Sequence, residues 1–123
     1  MIRIRLAAAA ALLTAAYATL GAPAFAHAII EESTPAPAGT AVGPDVAVTL
    51  RYNTRIDRAR SRLTLLDAAD KSAVIAIDPK GEPNVLTTTI KGLVPGAYRL
   101  RWQVLAVDGH ITRGEVPFKV EAP

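Results

Sequence analysis

Two histidines occur in this 123-residue chain, and their neighbours determine what each can do. His27 follows Ala24-Phe25-Ala26, an Ala-x-Ala pattern that signal peptidase cuts. Cleavage after Ala26 makes His27 the first residue of the mature chain, where its α-amine and ring Nδ1 can close a chelate around one metal ion. His110 stands two residues beyond Asp108 in Val107-Asp108-Gly109-His110. In an extended chain residues i and i+2 point the same way, about 6.6 Å apart, so this carboxylate and imidazole can converge on one ion. Gly109 lets the backbone bend between them. Alone, the triplet reads first as an Asp-Gly turn followed by a surface histidine; coupled to an N-terminal histidine it completes a set of four donors. Nitrogen-rich ligation with one carboxylate and no sulfur suits copper(II), which heads the divalent affinity order, with zinc as its competitor.

The first 26 residues form a unit of their own. Arg3 and Arg5 make a basic start, Leu6 to Leu20 is an apolar run rich in alanine and leucine, and the small-residue cleavage pattern closes it. The run is short for a spanning helix and is broken by Gly21 and Pro23, so residues 1–26 are expected to be a cleaved secretory signal and 27–123 a single mature domain. Removing the signal lowers the net charge from +3 to +1, because Arg3 and Arg5 leave with it, and the basic balance then says little about nucleic acid. Met1, the one methionine, is lost as well, and cysteine is absent throughout. The mature chain therefore has no sulfur ligand, disulfide or thiol nucleophile, although an exported protein could carry disulfides. Its stability must come from a packed core.

The elements that must position those donors read as short strands between turn signals. Val46 to Tyr52, Arg62 to Leu66, Val74 to Ile77 and Val85 to Ile90 alternate or are β-rich, while Asp67 to Lys71 reads as a hairpin loop, Asp78 to Gly81 as a turn, and Pro35 to Pro44 as an irregular crossing. The strongest strand is Tyr98 to Val107, with Tyr98, Leu100, Trp102, Val104 and Ala106 on one face and Arg99, Arg101 and Gln103 on the other. Leu93-Val94-Pro95-Gly96-Ala97-Tyr98 matches a tyrosine corner, or else a simple Pro-Gly turn ahead of the strand. With ends near Ala28 and Glu121 the chain holds about seven strands, the number an immunoglobulin-like sandwich requires.

Taken together, His27-Ala28, Ser33-x-Pro35-Ala36, Leu93-x-Pro95-Gly96-x-Tyr98-x-Leu100-x-Trp102, Asp108-Gly109-His110 and Gly114-x-x-x-Phe118-x-Val120 resemble the CopC family of periplasmic copper-binding proteins. The resemblance covers essentially the whole mature chain. It implies an all-β, seven-stranded, Ig-like or cupredoxin-like Greek-key sandwich. It also implies copper(II) ligation by the amine and ring of His27, Asp108 and His110, and a non-enzymatic, monomeric role in copper homeostasis with delivery to a CopD-type inner-membrane importer. Two departures stand out. The methionine-rich stretch by which some members bind copper(I) is absent, so one copper(II) site is expected. Where many relatives have a glutamate after the second strand this chain reads Tyr52-Asn53-Thr54-Arg55, with Thr54 at that carboxylate's place.

Other residues carry weaker stories. Arg51, Arg55, Arg58, Arg60 and Arg62 group around one loop, which reads as solvated or as a face that docks phosphate or an acidic protein or lipid partner. No aromatic residues interleave for base stacking, which argues against nucleic acid. Glu31 and Glu32 alternate in direction and read as surface charges, Trp102 reads as core, and with both histidines given to metal no Ser-His-Asp arrangement remains. Two alternatives stay open: a copper monooxygenase, which also uses an N-terminal histidine, and a metal-free sandwich serving as an interaction module.

Overall fold

Alternation along a strand puts every second side chain on one face, and burial follows that pattern from Tyr98 to Ala106. The structure, a computed structural model, describes residues 27–123; the expected signal segment lies outside them. In chain order the strands are β1 (Ile30–Thr34), β2 (Gly39–Val42), β3 (Val46–Tyr52), β4 (Arg62–Leu66), β5 (Ser72–Ile75), β6 (Val85–Ile90), β7 (Gly96–Leu105) and β8 (Ile111–Glu121), with one 3-10 turn at Arg58–Arg60. They form two sheets, β1-β3-β6 and β2-β8-β7-β4-β5, facing each other as an Ig-like sandwich.

The described residues thus hold eight strands where the spacing suggested seven. The extra one is β2, inside the proline-rich crossing. It runs parallel to β8, from Gly39 opposite Phe118 to Val42 opposite Glu121. Its sequence, Gly39-Thr40-Ala41-Val42, has little strand character, and its hydrogen bonds come from a partner some 80 residues away in sequence. β5 also starts earlier and stops sooner than its apolar run, ending at Ile75.

The inner faces supply the core. Val48, Leu50 and Tyr52 from β3 and Leu86 and Ile90 from β6 meet Leu63, Leu100, Trp102, Val104, Val116 and Phe118 from the other sheet. Each such aliphatic side chain contributes about 1.5–3 kcal/mol on burial, and no disulfide supplements it. The buried Thr88 hydroxyl is satisfied, donating to the Ala76 carbonyl at 2.6 Å. Tyr98 stacks on Phe118 with centroids 5.8 Å apart, and its hydroxyl donates to the Val94 carbonyl at 2.7 Å, which makes the tyrosine corner real.

Trp102 explains why Gly114 stands in the closing motif. The two are register partners on β7 and β8, and a Cβ at Gly114 would lie 2.3 Å from the indole ring. Gly114→Ala is therefore expected to destabilise by about 1–3 kcal/mol through overpacking, a fall in Tm of several degrees that thermal unfolding reads directly. Unchanged Tm would mean that the indole shifts freely in the core.

Candidate metal centre

Ala28 is buried, so the chain enters the sandwich one residue after His27. The next residue is clamped on both sides: the Ile29 N–H donates to Asn53 Oδ1 at 2.8 Å, and the Asn53 N–H donates to the Ile29 carbonyl at 3.0 Å. His27 is thereby held at the end of the sandwich where β3 leaves its sheet. Asn53, rather than Thr54, supplies the side-chain bond that fixes this segment. Where the resemblance leads one to expect a carboxylate, the neighbouring amide orders the backbone instead.

The β7–β8 connection arrives at the same end. The Gly109 N–H donates to the Ala106 carbonyl and the Ala106 N–H to the His110 carbonyl, each at 2.9 Å, and Gly109 adopts a φ of +92° that favours glycine. The loop after Asn53 braces this turn, with Val107 N–H donating to the Arg55 carbonyl at 3.3 Å and Asp57 N–H to the Leu105 carbonyl at 2.8 Å. A five-residue loop therefore touches both halves of the candidate site.

Asp108 and His110 do not project side by side from an extended strand, as their spacing suggested; they sit in this turn. The positive φ of Gly109 folds the triplet back on itself. Asp108 Oδ1 accepts from the His110 backbone N–H at 3.1 Å, and Oδ2 lies 3.1 Å from His110 Nδ1. Those contacts, the backbone one first, hold the Asp108 carboxyl below its usual range. The Asp108 carboxylate beside Nδ1 fixes the orientation of the His110 ring, a common carboxylate–histidine arrangement.

The two imidazoles meet across the gap, with ring centroids 5.9 Å apart and planes inclined at 64°. That separation is compatible with two rings bonded to one ion, each through a nitrogen about 2 Å away. Among the described residues no three His, Cys, Asp or Glu side chains make a ready metal cluster. Two imidazoles and a carboxylate turned onto its neighbour leave at least one donor to come from elsewhere.

With this geometry in place, comparison with known proteins is informative. A family model described as the CopC domain matches residues 30–121. The chain belongs to the CopC family. The match takes in Asp108 and His110 and begins just after His27. Among solved structures the chain is similar to CopC from Methylosinus trichosporium OB3b, with a TM-score of 0.70 and 25% identity over 78% of this chain and 95% of that one. It shares its fold with PcoC from Escherichia coli, a methionine-rich copper resistance protein, at a TM-score of 0.60 and 22% identity, covering 78% of this chain and all of that one. Among curated proteins, YobA of Escherichia coli K12 is 25% identical over 100 residues, 79% of this chain and 81% of that protein. No helix among the described residues is long and apolar enough to cross a membrane.

The role of Asn53 is open to test. Asn53→Ala removes an acceptor worth about 0.5–1.5 kcal/mol and frees the segment that carries His27. For the chain beginning at His27, metal affinity is expected to fall by up to about tenfold with the spectrum of the bound ion unchanged. Asn53→Asp, which keeps the acceptor, should restore most of it. An altered spectrum would instead make Asn53 a ligand.

Proposed function

We propose that the processed protein is a periplasmic copper(II)-binding protein that buffers copper or delivers it to a membrane partner. The observation that carries this reading is the approach of His27 and His110 to 5.9 Å over a turn braced by Asp108. Chemistry selects the metal. Imidazoles, an amine and a carboxylate are donors for a divalent ion of intermediate softness, and copper(II) is the tightest bound of the first-row divalent series. The names of the relatives, CopC and the copper resistance protein PcoC, point the same way.

On this reading the amine and Nδ1 of His27 chelate the ion, and His110 closes on it from the opposite hairpin. Asp108 offers a carboxylate that orients the His110 ring and stands near enough to join as a ligand. The ion is cargo, so the site should be open, and it is: His110 and Asp108 lie on the surface. Delivery also needs a docking rim. Ile29, Val107 and Ile111, each within two residues of a proposed ligand, are 59%, 66% and 53% exposed. Apolar side chains placed around an exit suit a brief complex with a CopD-type transporter better than a permanent one. On this reading Asp108 and both histidines are given to the ion, and the protein acts as a monomeric carrier.

The test is a metal titration of the exported protein. One equivalent of copper(II) is expected to bind in a tetragonal, nitrogen-dominated site without a thiolate charge-transfer band. Under anaerobic reductant a copper(I) chelator should strip the metal, since the mature chain holds no soft sulfur donor. Two tight equivalents, or retention of copper(I), would overturn the single-site reading.

A further inference from the structure

The five arginines grouped at 51–62 in the sequence do not form one face. Arg51 pairs with Glu82 at 2.8 Å and Glu32 at 3.7 Å, Arg58 donates to the Glu82 and Val85 carbonyls at 2.7 Å, and Arg60 lies 3.7 Å from Asp57. Arg62 is different. It opens β4 on the outer face of the five-stranded sheet, in register with Gln103 of β7, which is in register with Arg113 of β8. Strands lie about 4.8 Å apart, so the two arginine backbones stand about 10 Å apart with Gln103 between them. The next row along the same face is Thr64, Arg101 and Glu115. These two rows line a groove of about 520 Å³ that also reaches Trp102 and Gly114.

Charge on this face does not balance. Arg101 donates to Glu115 at 2.8 Å, and Arg99 reaches Glu115 at 3.4 Å and Asp70. The two carboxylates are thus engaged by Arg99 and Arg101. Arg113 donates its Nε–H to the neutral Gln103 Oε1 at 2.8 Å, and among the described residues neither Arg113 nor Arg62 has an ion-pair partner. Most other arginines of the domain meet a carboxylate or a carbonyl. Here two cations stand on neighbouring strands flanking an amide, one of them held by it, beside a hydroxyl and a third guanidinium.

We propose that this groove binds a small polyvalent oxyanion, of the phosphate or polycarboxylate class, gripped by Arg62 and Arg113 with Gln103 between them. A guanidinium presents a planar fork of donors that matches such oxygens, and two forks on neighbouring strands can hold one multiply charged anion that a single exposed arginine would bind poorly. The sheet sets the spacing of the two backbones, and Gln103 already holds Arg113 in place, so the Arg62 side chain is the one left to be ordered on binding. The groove uses none of His27, Asp108 or His110, and anion binding should be the same in a protein that cannot hold metal.

Trp102, the only tryptophan in the chain, turns its ring to the core on the opposite face of the strand, so occupancy is read from the strand backbone rather than from fluorescence. The exported protein, free of metal, is titrated with sodium phosphate and with citrate at constant ionic strength, and the backbone amides of Gln103 and Arg113 are followed by NMR. A saturable response to either anion is expected, with the responding titrant assigning the class. Arg62→Gln and Arg113→Gln should each weaken it by about tenfold or more, and Arg55→Gln, on a different loop, should leave it unchanged. Glu115→Gln removes the one carboxylate lining the groove and should tighten binding, a gain that a purely structural role would not produce. A response matching that of sodium chloride, or equal affinity in the Arg62 and Arg113 variants, would overturn the proposal.

Discussion

A single glycine added ahead of His27 is expected to weaken copper(II) binding by more than about 100-fold, beyond the 10–100-fold typical of disturbing an outer-shell group. The extension leaves every side chain in place. Ala28 stays buried and the Ile29–Asn53 pair of hydrogen bonds is untouched, so the fold and the position of the His27 ring should persist. What changes is one atom's chemistry. The proposed terminal amine would become an amide nitrogen, a far poorer donor that cannot close the proposed chelate with Nδ1. Acid should act in the same direction in the native protein, because the amine and both imidazoles must be free of protons to bind. A competition titration of the processed protein against the glycine-extended form, at neutral and at mildly acidic pH, measures both effects. Equal affinities would falsify the amine as a donor and reduce the site to two imidazoles and a carboxylate.

How far the sequence leads can be judged residue by residue. Where an element's character is local, it is legible: the alternation of Tyr98, Leu100, Trp102 and Val104 dictates β7, and Pro95-Gly96 followed by Tyr98 yields the corner bond to Val94. β2 is hidden because Gly39-Thr40-Ala41-Val42 is a strand by virtue of β8 alone. The same division runs through the site. His27, Asp108 and His110 stand out as residue types, but the turn that carries two of them depends on the backbone conformation of Gly109 and not on strand spacing. Asn53 escapes notice because its work is done through a backbone N–H 24 residues away. Arginines 51 to 62 look like a cluster in one dimension, yet only Arg62 joins the groove's arginine row, since register sets Gln103 and Arg113 beside it. Contacts that sheet pairing creates between distant segments are the part that a linear pattern does not encode.

His110→Ala and Asp108→Asn separate the two contributions of the β7–β8 turn. The imidazole lies opposite His27 and is the sole nitrogen side chain proposed from that hairpin, so its loss should lower copper(II) affinity by more than about 100-fold and change the spectrum of any ion still bound. Asp108 acts first on His110: its two oxygens contact the backbone N–H and Nδ1, each at 3.1 Å. An asparagine can keep one of those bonds but loses the charge that favours a proton on Nδ1 and a lone pair on Nε2. A loss of about 10–100-fold is expected, as for a partner that orients a ligand. Because the carboxylate also stands near enough to reach the ion, electron paramagnetic resonance at saturating copper gives the second reading. A spectrum like that of the native protein assigns Asp108 to orientation, whereas a shift toward fewer oxygen donors makes it a ligand. The turn lies between strands and neither side chain is buried in the core, so both variants should unfold at nearly the native temperature. Full copper affinity in His110→Ala would remove this hairpin from the site altogether.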